Sequence, residues 1–266
     1  MDKRPIGIFD SGVGGLTVAH AVRQIMPSEN IIYFGDTAHL PYGDKSAELI
    51  TQYSIKIIEF LLDRGVKAIL IACNSASSSA YDYLKEYFGN KTIIFDVITP
   101  VIEYTVNRNF NKVGVIGTKR TIASGIYEKL LTEKVPGMEV VSIATPLLVP
   151  MIEEGFIYDD VSNQIIRTYL SNPALKKIEA LILGCTHYPI IRNQISKFFD
   201  FSVEIIDSSK VVSLAVREAF ASNGLLNNST SGHDRFFVSD YTEYFGKIAK
   251  LFFEKDIRLE KVNIWQ

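Results

Sequence analysis

Two cysteines, Cys73 and Cys185, are the only thiols in the chain. Each closes a short apolar run, Lys67-Ala-Ile-Leu-Ile-Ala-Cys73 and Glu179-Ala-Leu-Ile-Leu-Gly-Cys185, and each is followed by polar residues. Asn74 and Ser75 follow the first, Thr186 and His187 the second. A free thiol titrates near ~8.5, and a helix N-terminus or a nearby cation brings it lower, so cysteine serves as acid, base or nucleophile near neutrality. Asp10 and Ser11 end another apolar run. A carboxylate or imidazole beside a thiol can take up its proton. Two thiols on opposite faces of one carbon suit one reaction above others: the thiolate removes a proton from a stereocentre and the opposing thiol returns one to the far face, giving the mirror image. A substrate proton α to a carboxylate is weakly acidic, so hydrogen-bond donors must hold the developing charge. Ser11, Ser75, Thr118, Thr121 and Thr186 are candidates.

The elements that must position these groups are legible as alternation. Pro5 to Phe9, Asn30 to Gly35, Lys67 to Ala72, Thr92 to Phe95, Lys112 to Ile116, Glu139 to Ile143, Glu179 to Gly184 and Val203 to Ile206 read as short buried strands. Ser46 to Arg64, Asp159 to Leu170, Ser208 to Ala221 and Tyr241 to Phe253 carry helical periodicity. Strands alternating with helices imply an α/β fold with doubly wound parallel sheets, whose chemistry sits past the carboxyl ends of the strands. An internal repeat reinforces this reading. The two cysteine segments match each other. Ile6-Gly-Ile-Phe9 matches Val113-Gly-Val-Ile116, Asn30 to Pro41 runs like Glu139 to Pro150, and Ile93-Ile-Phe-Asp96 matches Glu204-Ile-Ile-Asp207. The matches keep their order and nearly constant separation. They predict two similar halves, roughly 1–100 and 101–209, with a further segment after 210. A lone cysteine at a strand end is usually a small packed hydrophobe. Two at equivalent ends of repeated halves point instead to opposed thiols across a pseudo-two-fold cleft.

Composition narrows the rest. Hydrophobic residues make up 47% and charged residues 22% of 266, an ordinary globular balance. Lys+Arg 28 against Asp+Glu 30 leaves a net charge of −2, so nucleic-acid or anionic-membrane binding lacks its electrostatic basis. Two cysteines exclude a disulfide scaffold. No Cys-x-x-Cys or His-x-x-x-His spacing suggests a metal. The charged start is broken by Asp10 before a signal core can form, and no apolar run reaches the roughly 18–20 residues of a membrane span, so a cytoplasmic location is expected. Gly12-Val-Gly14-Gly15 matches neither a phosphate loop nor a dinucleotide fingerprint and reads as a tight turn presenting Asp10 and Ser11 to a small anion. His20, His39 and His233 read as surface or packing residues.

Phe9-Asp-Ser-Gly-Val-Gly-Gly-Leu-Thr17, Tyr33-Phe-Gly-Asp-Thr37, Pro41-Tyr-Gly43, Ala72-Cys-Asn-Ser-Ala-Ser77 and Leu183-Gly-Cys-Thr-His-Tyr-Pro189 together resemble the glutamate racemases of the aspartate/glutamate racemase superfamily. The resemblance spans nearly the whole chain. It implies cofactor- and metal-independent interconversion of L- and D-glutamate, supplying D-glutamate for peptidoglycan, and a cytoplasmic homodimer. It implies Cys73 and Cys185 as the acid/base pair, the first deprotonating D-glutamate and the second L-glutamate. Asp10 is then the partner of Cys73, His187 that of Cys185, and Glu153 a further carboxylate near His187. Implied substrate contacts are Asp10, Ser11, Tyr42, Gly43, Asn74, Ser75, Thr118, Thr121, Thr186 and His187. The implied units are 1–97 with a returning 210–266, and 98–209. Ser75 stands where the family often has Thr, and Thr99 where Glu is common. An aspartate racemase of the same superfamily would share the cysteines. A two-lobed amino-acid-binding protein without catalysis, or a phosphate-handling enzyme using Gly12 to Gly15, are the other readings.

Overall fold

The computed structural model describes residues 2–228, 232–241, 243–253 and 257–265. Thr242, inside the predicted helix Tyr241 to Phe253, lies outside them, as do residues 229–231, 254–256 and 266 of the predicted returning segment.

The eight predicted strands form, with ends shifted by a residue or so. They are β1 (Ile6–Asp10), β2 (Ile31–Gly35), β3 (Ala68–Ile71), β4 (Ile93–Asp96), β5 (Lys112–Gly117), β6 (Glu139–Ala144), β7 (Ala180–Gly184) and β8 (Glu204–Ile206). Two more follow, β9 (Asp234–Val238) and β10 (Leu259–Lys261). All pair in parallel. The first sheet has the order β10-β9-β2-β1-β3-β4, the second β6-β5-β7-β8. The inner order second-first-third-fourth therefore recurs in both sheets, the topological form of the sequence repeat. The chain after 233 adds β9 beside β2, pairing Tyr33 with Phe236.

Helices cover both faces of each sheet, which is why β1, β2, β3 and β7 are buried throughout. They are α1 (Leu16–Ile25), α2 (Ala47–Leu62), α3 (Asn74–Phe88), α4 (Thr99–Val106), α5 (Lys119–Ala123), α6 (Ile126–Lys134), α7 (Leu148–Glu153), α8 (Asp160–Leu170), α9 (Arg192–Phe198), α10 (Ser208–Ser222) and α11 (Glu243–Phe253). Caps set several starts. Ser46 accepts from the Leu49 amide, Asp159 and Ser162 form a capping box, and Asp207 accepts from the Ser209 amide.

Alternation along the strands sorts the core. Ile69 and Ile71 of β3 face one way with Phe9, Phe34 and Ile57. Ala68 and Leu70 face the other, into a cluster that also holds Val113, Val115 and Ile182 of the second sheet. One apolar core thus runs behind both sheets, and Leu181 and Leu183 face a separate cluster with Met151 and Tyr188. Among the described residues no helix is long and apolar enough to cross a membrane.

Candidate active site

The carboxyl ends of β1 and β3 meet those of β5 and β7. After β1 the chain turns through Gly12 to Gly15 into α1. Asp10 is fully buried, and its Oδ2 accepts hydrogen bonds from the amides of Gly12 (3.0 Å) and Gly15 (2.9 Å). This alters the sequence reading of the turn: the carboxylate it grips is the chain's own Asp10. Glycine is required here by close approach. A Cβ on Gly15 would lie 2.4 Å from the Asp10 Cβ, and one on Gly14 only 2.4 Å from Nδ1 of His187.

Cys73 has extended backbone and stands at the N-terminus of α3. Its buried thiol donates to Ser11 Oγ at 3.9 Å. Burial pushes the thiol well up from its ordinary value. The Asp10 charge adds to this, Cys185 contributes further, and the amides of Ala76 and Ser11 oppose it. Cys73 therefore carries its proton at neutral pH, and it lies near enough to Cys185 to feel its charge.

Cys185 follows β7, but no regular helix follows at once. A 3-10 turn, Tyr188–Ile191, intervenes before α9. The neighbouring imidazole takes the place of a helix N-terminus. His187 Nδ1 lies 3.7 Å from the Cys185 sulfur, and Nε2 lies 2.9 Å from Glu153 Oε1. Burial alone would lower His187, but hydrogen bonds to Cys185 and Glu153 outweigh it and hold the imidazole well above its ordinary value. Glu153 ends α7, and Glu154 is only the cap residue after it.

Contacts across the cleft bring most of the predicted residues together. Thr186 Oγ1 reaches Asp10 Oδ1 at 3.4 Å, and Thr17 Oγ1 donates to the Thr186 carbonyl at 3.0 Å. Ser75 Oγ lies 2.9 Å from Thr118 Oγ1 and 3.5 Å from Thr121 Oγ1. Asn74 Oδ1 accepts from the Tyr127 hydroxyl at 2.7 Å, while its buried Nδ2 has no hydrogen-bond partner among the described residues. Unpaired buried donors are uncommon in folded proteins. Tyr42 and Gly43 line a cavity of ≈ 60 Å³ with Thr118, Thr145, Cys185 and His187. Beside it, Lys119 Nζ meets Asp44 Oδ1 at 3.2 Å. The Tyr42 hydroxyl is committed elsewhere: it donates to Asp36 Oδ2 at 2.7 Å, so Tyr42 offers the cavity its ring and backbone.

Sequence reasoning missed Asp36, which is fully buried and also accepts from Ser239 Oγ at 2.8 Å. It read His39 as a surface or packing residue. The ring does stack on Tyr53 at 4.1 Å, but its Nδ1 also lies 2.8 Å from Asp36 Oδ1. His20 packs against Phe252, and His233 is exposed. Thr99 starts α4, where its amide bonds Asp96 Oδ1 at 2.8 Å; nothing in the structure gives it a role in the cleft.

The family profile described as Asp/Glu/Hydantoin racemase matches residues 16–218. A glutamate racemase of Chlorobaculum parvum is 40% identical over 250 residues, covering 93% of this chain and 92% of that protein. Among solved structures, glutamate racemase of Francisella tularensis in complex with D-glutamate superposes with a TM-score of 0.92 at 42% identity, covering 100% and 99% of the two chains. A glutamate racemase isoform of Bacillus anthracis superposes at 0.94 with 32% identity over 99% and 98%.

Proposed function

The chain belongs to the Asp/Glu/hydantoin racemase family, and on that premise we propose that it is a glutamate racemase working with two thiols and no cofactor. What carries the reading is a pair of buried thiols at equivalent strand ends of two repeated sheets, Cys185 beside the His187 imidazole and Cys73 beside the Ser11 hydroxyl. From L-glutamate, Cys185 as thiolate takes the Cα proton and the Cα–H electron pair passes into the α-carboxylate. Cys73 then gives its thiol proton to the opposite face, so a new Cα–H bond forms and nothing is oxidised or reduced. From D-glutamate the roles exchange. His187, steadied by Glu153, holds and returns the Cys185 proton. Asp10 serves Cys73 through its charge, across the turn that holds it. Ser75, Thr118 and Thr121 form the hydroxyl cluster for a substrate carboxylate. Asn74 and Thr186 supply donors on either side, and Ser11 stands beside Cys73. Preorganised donors of this kind carry much of the barrier lowering for so weak a carbon acid. Tyr42 and Gly43 wall the cavity.

The reading divides the chain into 1–97 with 210–266, and 98–209. Pairing of β9 and β10 into the first sheet and packing of α10 on α1 support it. It also places a homodimer in the cytoplasm, supplying D-glutamate for peptidoglycan. The two free cysteines suit a compartment that keeps thiols reduced.

The test is solvent exchange. In metal- and pyridoxal-free deuterium oxide, either glutamate enantiomer should yield the other with deuterium at Cα. Cys73→Ala and Cys185→Ala should each abolish turnover, with Cys→Ser leaving a trace at most. Wild-type racemisation by either Ala variant would overturn the two-thiol mechanism. Faster turnover of aspartate than of glutamate would reassign the substrate.

A further inference from the structure

Tyr127 sits outside every motif of the sequence, yet it touches both thiol-bearing loops. It is carried by α6, is 2% exposed, and its hydroxyl donates to Asn74 Oδ1 at 2.7 Å across the interface between the two sheets' helices. Its ring packs behind Gly184, where a Cβ would lie 3.4 Å from Cε2, directly before Cys185. Asn74 is the residue after Cys73. A single side chain from the second half thus braces the strand end of one thiol and binds the neighbour of the other.

The chemistry of the pair is directional. A side-chain amide has an acceptor end and a donor end that differ little in shape. Left alone, the Asn74 amide could turn either end to the substrate. The phenol breaks that symmetry. Its proton goes to Oδ1, its one hydrogen bond among the described residues. Turning the amide over would strand that proton and point a carbonyl oxygen at an anionic substrate. With Oδ1 engaged, Nδ2 is left as a buried donor without a partner among the described residues. Burial and the nearby charges of Asp96 and Cys185 push the Tyr127 hydroxyl far above its ordinary range, so it remains a donor throughout the cycle.

We propose that Tyr127 is a positioning residue for racemisation: it fixes the Asn74 amide with its N–H end toward the substrate and ties that amide to the Cys185 loop, so that the donor is present only when the two halves are correctly seated. The proposal rests on the glutamate racemase reading, because it gives Asn74 an anionic ligand to meet.

The experiment is a double-mutant cycle of Tyr127→Phe and Asn74→Ala, read in kcat, in KM and in the affinity for D-glutamate by calorimetry. Tyr127→Phe keeps the ring against Gly184 and removes one oxygen, so the fold is retained and melting shifts little. Its kcat/KM should fall about 10- to 100-fold, as expected for a lost hydrogen bond to a buried donor-bearing group. D-Glutamate should bind more weakly by a comparable factor. In the Asn74→Ala background the same substitution should change each quantity less than about twofold. Equal effects of Tyr127→Phe in both backgrounds, or a single variant with wild-type kcat/KM and affinity, would overturn the proposal. Wild-type protein that binds D-glutamate without exchanging its Cα proton would instead overturn the racemase reading, and coupling in affinity alone would still decide the role of Tyr127.

Discussion

Replacing Gly14 by alanine should cripple the reaction without removing any group that carries a proton. The new methyl would lie 2.4 Å from Nδ1 of His187, 2.7 Å from its Cε1 and 2.6 Å from Oγ1 of Thr186. Ordinary contacts are about 3.5 Å or more, so about 1 Å must be found. The Gly14 backbone is not left-handed, so space is the whole question. A threonine hydroxyl can rotate away. The imidazole has less freedom, because it is buried and Glu153 holds its Nε2 at 2.9 Å. Displaced by about 1 Å away from the methyl, Nδ1 loses its alignment with the Cys185 sulfur, now 3.7 Å away. Misplacement on this scale costs about 10²-fold in rate, or about 3 kcal/mol of barrier. Overpacking itself costs about 1–3 kcal/mol of stability. The assay is kcat/KM for both enantiomers, with a melting curve to show that the fold survives. Gly12→Ala is the control, since the nearest atoms its methyl would meet belong to the Leu40 side chain, from 3.0 Å, and the end of a leucine can give way. A folded Gly14→Ala enzyme within about threefold of wild type would refute the argument that His187 is seated against this turn.

Two further outcomes follow from the same geometry. His187 is held well above its ordinary value, so its proton contributes stability that is fully present below the unfolded value of about 6.5 and is lost as pH rises through the folded one. Glu153→Gln removes one of the two partners that raise it, so the fall in melting temperature above about pH 6.5 should be smaller and should end at lower pH than in wild type; superimposable pH profiles would contradict the assignment. Lys67 lies at the opposite end of β3 from Cys73, with its buried Nζ 2.5 Å from Glu29 Oε2 and 2.7 Å from the Leu225 carbonyl. Lys67→Met should cost about 3–5 kcal/mol by leaving Glu29 buried and unpaired, and urea unfolding that shows less than about 1 kcal/mol would disprove it.

What the sequence disclosed and what it hid divide along a physical line. Short apolar runs announce themselves whether a strand is buried throughout, like β3, or only half-buried, like β6, so β1 to β8 were legible, and the cysteine ends of β3 and β7 with them. The strand β9 begins Asp234-Arg235 and owes its place to pairing with β2. The strand β10 has three residues. Neither carries enough local pattern to be read alone. The same holds within the site. Asp10, Ser11, Asn74, Ser75, Thr186 and His187 flank the strand ends and could be found from them. The Asp36–Ser239 bond joins residues about two hundred positions apart, and Tyr127 meets Asn74 from a separate helix. Such partners are created by the packing of segments far apart in the sequence and leave no trace in spacing.

The unlike surroundings of the two thiols have a consequence for kinetics. One thiol has an imidazole backed by a carboxylate, the other a serine and the charge of a carboxylate held by its own turn. Mirror-image amino acids have the same free energy in solution, so the equilibrium ratio between them is one, and kcat/KM must be identical in the two directions for this chain and for every variant of it. The asymmetry of Cys73 and Cys185 can therefore never favour a product. It can only apportion the common value differently between kcat and KM, so that one enantiomer is bound more tightly and turned over more slowly than the other. Any net flux through the enzyme is set by whatever consumes one enantiomer, and the two dissimilar sides decide how saturated the enzyme stands while that happens.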